Sequence, residues 1–191
     1  MYKLGDMFYI RGEWALENSH RVMGLDPLVY PDSAVLILGT LPGSKSLEKG
    51  AYYADPTNNF WRILFLVCGE TGEISIETKK ALLEKYRIAI WDILQSAVRD
   101  TSDDKDIKEE VPNDLTQFIA KYPNIKLLLF HSNDTYKYFQ RYFKNTTIPY
   151  IRVSSPSGQN RKSLKEKMLE WRAALSCVLP QIEVDYRLEQ K

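Results

Sequence analysis

Four short apolar runs constrain this chain more than any other feature. The clearest is Ala34-Val-Leu-Ile-Leu38, unbroken by a polar residue and bounded by Pro31-Asp-Ser33 before it and Gly39 after it. So short a run, with β-branched members, reads as a strand buried on both faces, the condition of a parallel sheet. Ile88-Ala-Ile-Trp-Asp92-Ile-Leu94, with an acid at its end, Ile125-Lys-Leu-Leu-Leu-Phe130 and Tyr150-Ile-Arg-Val153 read the same way.

Helical patterns separate these runs. An apolar stripe restarts at Phe60-Trp61 and stops at Gly69. Ser75 is an N-cap for a helix with Leu82, Leu83 and Tyr86 on its apolar face, and Asp114 with Gln117 opens another through Tyr122. Ser132 to Asp134 cap a helix bearing Tyr136, Phe139 and Phe143, and Ser163 with Glu166 is a capping box for a last helix striped by Leu164, Met168, Trp171 and Leu175. The alternation predicts an α/β fold: a three-layer α/β/α sandwich with a four-stranded parallel sheet, strands near 34–39, 87–92, 125–130 and 150–153. Right-handed crossovers then bring the loops after all four strands to one edge. Residues 1–30 read as an irregular lead-in with a short helix over Gly12 to Ser19 and with Leu28 and Val29 packed near the first strand. Residues 181–191 read as a polar tail.

A length of 191 residues fits a single domain, and 44% hydrophobic with 27% charged residues excludes a disordered chain. Cys68 and Cys177 stand alone among apolar neighbours, which implies core thiols in a reducing compartment and no disulfide framework. With His20 and His131 the only histidines, no metal-ligand pattern arises, and neither metal nor cofactor is expected. No apolar run approaches a membrane span, so a cytoplasmic location is expected, nucleoid-associated in a bacterium. The charged run Arg99 to Glu110 reads as solvated surface.

The stretch after the first strand carries the chemistry. Gly39-Thr40-Leu41-Pro42-Gly43-Ser44 sets a tight turn at the carboxyl end of a central strand, where open α/β sheets bind ligands. It lacks the register of a phosphate loop. Tyr52-Tyr53-Ala-Asp-Pro-Thr-Asn58-Asn59 follows, with aromatics and amides but no periodicity.

This segment resembles the uracil-DNA glycosylase superfamily. Gly39-Thr-Leu-Pro-Gly43, Tyr52-Tyr53 and Asn58-Asn59-Phe60-Trp61 are similar to the first motif of its hypoxanthine-DNA glycosylase (DNA-deoxyinosine glycosylase) branch, and the likeness extends from Gly24 onward. The resemblance implies a strand order 2-1-3-4. It also implies a monofunctional enzyme that hydrolyses the N-glycosidic bond of deaminated bases, hypoxanthine first, and so initiates base excision repair. Such an enzyme flips the nucleotide from the stack and reads it in a pocket. Where the mismatch-specific uracil/thymine branch has a water-activating asparagine, this chain has Leu41, so the resemblance carries that role to Asn58, with Asn59 as the alternative and helix capping as a second role. Gly39, Thr40, Leu41, Pro42, Gly43, Ser44, Tyr53, Asp104 and His131 become the base pocket. His131 stands where the branch tends to have an amide, and Thr101 to Lys105 keeps only the acid, Asp104, of a Gly-Ser-Leu-Asp-Ser loop. Ser155, Pro156, Ser157 and Gly158 look like the loop that pushes into the duplex. Gln159, Asn160, Arg161 and Lys162 continue it as a phosphate track, with Lys165 and Lys167 beyond. The expected partner of the monomer is duplex DNA with a deaminated base, with single-stranded DNA as a further one. Two other readings stand: a mismatch uracil/thymine enzyme, and a non-catalytic module that binds nucleotides or single strands.

Overall fold

The computed structural model describes residues 2–4, 7–10, 13–16 and 21–182. In chain order the elements are β1 (Tyr2–Leu4), β2 (Met7–Ile10), β3 (Glu13–Leu16), β4 (Arg21–Met23), β5 (Val35–Gly39), α1 (Ser44–Lys49), α2 (Phe60–Cys68) and α3 (Ile76–Lys85). They continue as β6 (Ile88–Asp92), β7 (Leu94–Val98), a 3-10 turn (Asp104–Asp106), β8 (Lys108–Pro112), α4 (Leu115–Lys121), β9 (Leu127–Phe130), α5 (Asn133–Tyr142), β10 (Tyr150–Arg152) and α6 (Leu164–Ser176).

The four apolar runs pair in the order β10-β9-β5-β6, all parallel, which is the expected 2-1-3-4 order. Along β5 the side chains alternate between two cores, as the period of a strand requires. Val35 and Ile37 pack with Phe60, Ile63 and Leu64 of α2, Leu82 and Leu83 of α3, and Trp171 and Leu175 of α6. Leu36 and Leu38 pack on the opposite side with Leu115 and Phe118 of α4 and Phe139 of α5. Each such side chain, fully buried, contributes about 1.5–3 kcal/mol relative to exposure. Both sides of the sheet must therefore be apolar, which is why its strands are unbroken apolar runs.

The caps fall where the sequence places them. Ser75 with Thr78, and Ser163 with Glu166, form reciprocal capping boxes, while Asp114 and Ser132 accept backbone N–H groups at the starts of α4 and α5. Gly69 ends α2 in the left-handed conformation with φ 69°.

Three expectations need correction. Glu13–Leu16 is a strand rather than part of a helix, the last of an antiparallel β1-β2-β3 sheet in which Tyr9 pairs with Trp14. The rest of the expected Gly12–Ser19 helix, and positions 183–191 of the tail, lie outside the described residues. The β-prone run Met7-Phe-Tyr-Ile10, separated from Glu13 by two residues ending in glycine, is a hairpin signal that outweighs the helix-forming residues after it. The run from Ile88 to Leu94 is not one strand. After Asp92 the amides of Ile93 and Leu94 turn to bond the carbonyls of Gly39 and Thr40, and the chain enters a second antiparallel sheet, β4-β7-β8. The charged run 99–110 is accordingly not all loop, because its end forms β8 against β7. Leu28 and Val29 do pack near the first strand of the parallel sheet, Leu28 with the cluster that holds Val35 and Ile37 and Val29 with the one that holds Leu36 and Leu38, and Leu28 also bridges Ile90 of β6.

Candidate active site

The loops that follow β5, β7, β9 and β10 meet the end of β6 at the carboxyl edge of the parallel sheet and enclose a cleft of about 740 Å³. From the first motif it is lined by Gly39 through Gly43, Tyr53 and Asn58. Asp104 and His131 face it as well, together with Ser155, Ser157, Gly158 and Gln159 of the second motif. Asn160 opens instead onto an adjoining cavity of about 360 Å³, shared with His131 and Ser155. Ser44, Pro156, Arg161 and Lys162 are not part of the cleft wall.

The two motifs are physically joined. The Asn59 amide donates to the Pro156 carbonyl at 2.9 Å. Gly158 lies so close to the first loop that a Cβ there would meet the Thr57 carbonyl oxygen at 2.8 Å, so only glycine permits the approach.

Tyr53 is held from three sides. Its backbone is left-handed, with φ 52°, an uncommon state for a bulky residue. Its ring stacks on Phe60 with centroids 3.6 Å apart and planes 8° from parallel. Its hydroxyl meets His131 Nε2 at 2.6 Å. The loop before it is fixed by Trp61, whose Nε1 donates to the Tyr52 carbonyl at 2.9 Å. A strained backbone that its surroundings over-determine belongs to a preorganised site.

His131 is buried, and burial lowers its pKa to about 4, so the ring is neutral at physiological pH. Its Nδ1 is buried without a hydrogen-bond partner. Ser132, next in the chain, caps α5 and so fixes where the imidazole projects.

Asn58 both faces the cleft and braces the next helix. Its Oδ1 accepts the Phe60 amide at 3.0 Å, which fixes the orientation of the side-chain amide, and a carbonyl oxygen keeps a second lone pair. Leu41 is 7% exposed and packs into the apolar cluster beneath the loop, consistent with a residue that does no chemistry. Thr40 Oγ1 pairs with Thr135 Oγ1 at 2.8 Å, and burial raises the pKa of Asp104, with Thr40 acting in the opposite sense.

Ser44 differs from expectation, because its amide is already taken by Ser102 Oγ at 3.0 Å and is not aimed at a ligand. The basic track is also thinner than the sequence implies. Lys167 is buried and donates to the Ser157 and Asn160 carbonyls, holding the loop rather than reaching solvent. Lys162 pairs at 3.2 Å with Glu170 of α6. Arg161 and Lys165 remain exposed.

Two further residues shape the cleft. Arg99 is buried and donates through Nη2 to the Pro42 carbonyl, bracing the Gly39 to Gly43 turn from behind. Asp92 lines the floor, 4% exposed, opposite Gly39 in the sheet register. In sequence Arg99 is one charge in a charged run and gives no signal. An acid ending an apolar strand does, but it says nothing of what the acid faces. Among the described residues, no group of three or more His, Cys, Asp or Glu side chains could hold a metal ion. None of their helices is long and apolar enough to cross a membrane.

Comparison with known proteins places this geometry among relatives. The sequence model of the Uracil DNA glycosylase superfamily matches residues 27–176. A protein named Hypoxanthine DNA glycosylase from Methanosarcina barkeri is 32% identical over 152 residues, which is 79% of this chain and 96% of its own. Another of that name from Methanosarcina acetivorans is 30% identical over 151 residues, 78% and 95% of the two chains. A solution NMR structure of a candidate uracil DNA glycosylase from Methanosarcina acetivorans superposes with a TM-score of 0.73 at 28% identity, covering 83% of this chain and 98% of that one.

Proposed function

The chain belongs to the uracil DNA glycosylase superfamily, and from that premise we propose that it is a monofunctional glycosylase excising hypoxanthine from deoxyinosine sites in DNA. The observation that carries this reading is the cleft itself. Gly39 to Gly43, Tyr53, Asn58 and neutral His131 converge at the carboxyl edge of the parallel sheet, with the second-motif loop locked beside them. The names of the two Methanosarcina relatives favour hypoxanthine among the possible bases.

Hydrolysis requires a flipped nucleotide, a positioned water and stabilisation of the departing base. In this reading Asn58 orients the water through the free lone pair of Oδ1, with the bond from Phe60 holding the amide still. Tyr53 and His131 form the wall against which the base rests, and the backbone of Gly39 to Gly43 reads its edge. Ser155 to Gly158 enters the duplex, while Gln159 to Lys162 follow the phosphates. Duplex DNA is the substrate and single-stranded DNA a further one, and the protein acts as a monomer.

The test is release of free base from oligonucleotides that each carry one hypoxanthine, uracil, xanthine or thymine. Hypoxanthine is expected to be released fastest. Uracil released in preference to hypoxanthine would assign the chain to the mismatch reading, and no release from any substrate would leave a binding module.

A further inference from the structure

The acid at the end of β6 has no part in the reaction as described above. Asp92 is 4% exposed and faces the cleft, and its Oδ2 is buried without a hydrogen-bond partner. A buried polar group left unpaired is costly, so its persistence calls for a use. The other oxygen, Oδ1, packs against Gly39, where a Cβ would stand 2.4 Å from it and 3.3 Å from the Tyr53 hydroxyl, so glycine is what lets the carboxyl sit at the floor of the cleft. The titratable groups facing it are Asp104 from the 3-10 turn, Arg99 beyond β7, and Tyr52 and Tyr53 from the loop before α2. Burial first, and then Asp104, push the carboxyl up to about 8, with Arg99 acting in the opposite sense. At neutral pH Asp92 therefore holds a proton, whereas His131 does not carry a second one.

We propose that Asp92 is the general acid of this site, protonating a purine base as the bond between its ring nitrogen and C1′ breaks. The inference rests on the glycosylase reading and deepens it. The bonding pair of the glycosidic bond passes to the base, which takes the Asp92 proton on a ring nitrogen and departs neutral. Water adds its oxygen to C1′ and releases one proton, which returns to the Asp92 carboxylate. One C–N and one O–H bond break, and one C–O and one N–H bond form. A purine has basic ring nitrogens to receive this proton, while uracil offers only carbonyl oxygens and leaves as a stabilised anion. The acid at this position therefore favours hypoxanthine over uracil.

The experiment measures single-turnover release of hypoxanthine by the full chain from pH 5.5 to 9.5, for wild type, Asp92→Asn and Asp92→Ala, with DNA binding measured alongside. The wild-type rate is expected to be level below about pH 8 and to fall up to tenfold per pH unit above it. Asp92→Asn, nearly isosteric, should be slower by about 10²-fold at pH 7 and lack that alkaline limb, with binding little changed. Asp92→Ala should behave likewise. A wild-type rate that rises with pH over this range would make Asp92 a base and overturn the proposal, and this holds even where neither variant folds. An alkaline limb retained in Asp92→Asn, or a variant as fast as wild type, would overturn it while leaving the glycosylase reading intact. A wild type that releases no base from any substrate would overturn both.

Discussion

At the scale of single residues, the site depends on a few positions where space rather than side-chain chemistry decides. Gly39 is the sharpest case, because Asp92 Oδ1 and the Tyr53 hydroxyl close on the point where a side chain would begin. Gly39→Ala must push the carboxyl aside, and overpacking of this kind costs about 1–3 kcal/mol. Denaturant unfolding should show that loss, and the single-turnover rate should fall at least about tenfold as the floor of the cleft shifts. A variant with unchanged rate would mean that the Asp92 and Tyr53 positions are irrelevant to the reaction. Sequence shows that position 39 is glycine, but it cannot show that a carboxylate from a neighbouring strand is the reason.

At the scale of elements, the helices and parallel strands were legible because their signals are local. Ser75, Asp114, Ser132 and Ser163 each cap the helix that follows them, and each does so through residues two or three positions away. The β4-β7-β8 sheet was not legible because its pairing is remote, joining Arg21 to Val98 and Leu94 to Pro112. Its third strand also carries charges that read as solvated loop. The same blindness to remote partners inflated the basic track, since Glu170 neutralises Lys162 from the next turns of α6. Arg161→Ala is therefore expected to weaken DNA binding more than Lys162→Ala, and to lower the salt slope of binding by up to about 1. Titrations at several salt concentrations decide this. Equal effects of the two substitutions would mean that DNA displaces Glu170 from its pair.

At the scale of the whole molecule, the same buried groups that furnish the cleft make stability depend on pH in opposite directions. His131 titrates at about 4 in the folded protein against 6.5 ordinarily, so the unfolded chain binds the extra proton and stability falls as pH drops through that window. Asp92 titrates at about 8 against 3.8, so the folded protein holds the extra proton and stability falls as pH rises from 3.8 to 8. Asp104, raised by burial, adds in the second direction. The two trends offset below pH 6.5, and above it the carboxyl trend stands alone. Unfolding free energy should decline between pH 6.5 and 8 with a slope of at most about 1.4 kcal/mol per pH unit for Asp92, and Asp92→Asn should flatten the decline. Wild type and variant running parallel across that interval would contradict the buried, protonated carboxyl.

The central claim is that this cleft performs hydrolysis at a flipped deoxyinosine with water held by Asn58. It is tested most directly by single-turnover release of free hypoxanthine from a deoxyinosine duplex, comparing wild type with Asn58→Ala at saturating protein. The wild type should release the base and leave an abasic strand. Asn58→Ala should be slower by about 10²-fold or more, the scale for losing one positioned polar group, while binding falls much less because phosphate contacts dominate affinity. Asn58→Asp, which restores an acceptor for the water, should recover part of the rate. Full activity in Asn58→Ala would contradict the account and reduce Asn58 to the brace it provides for the Phe60 amide.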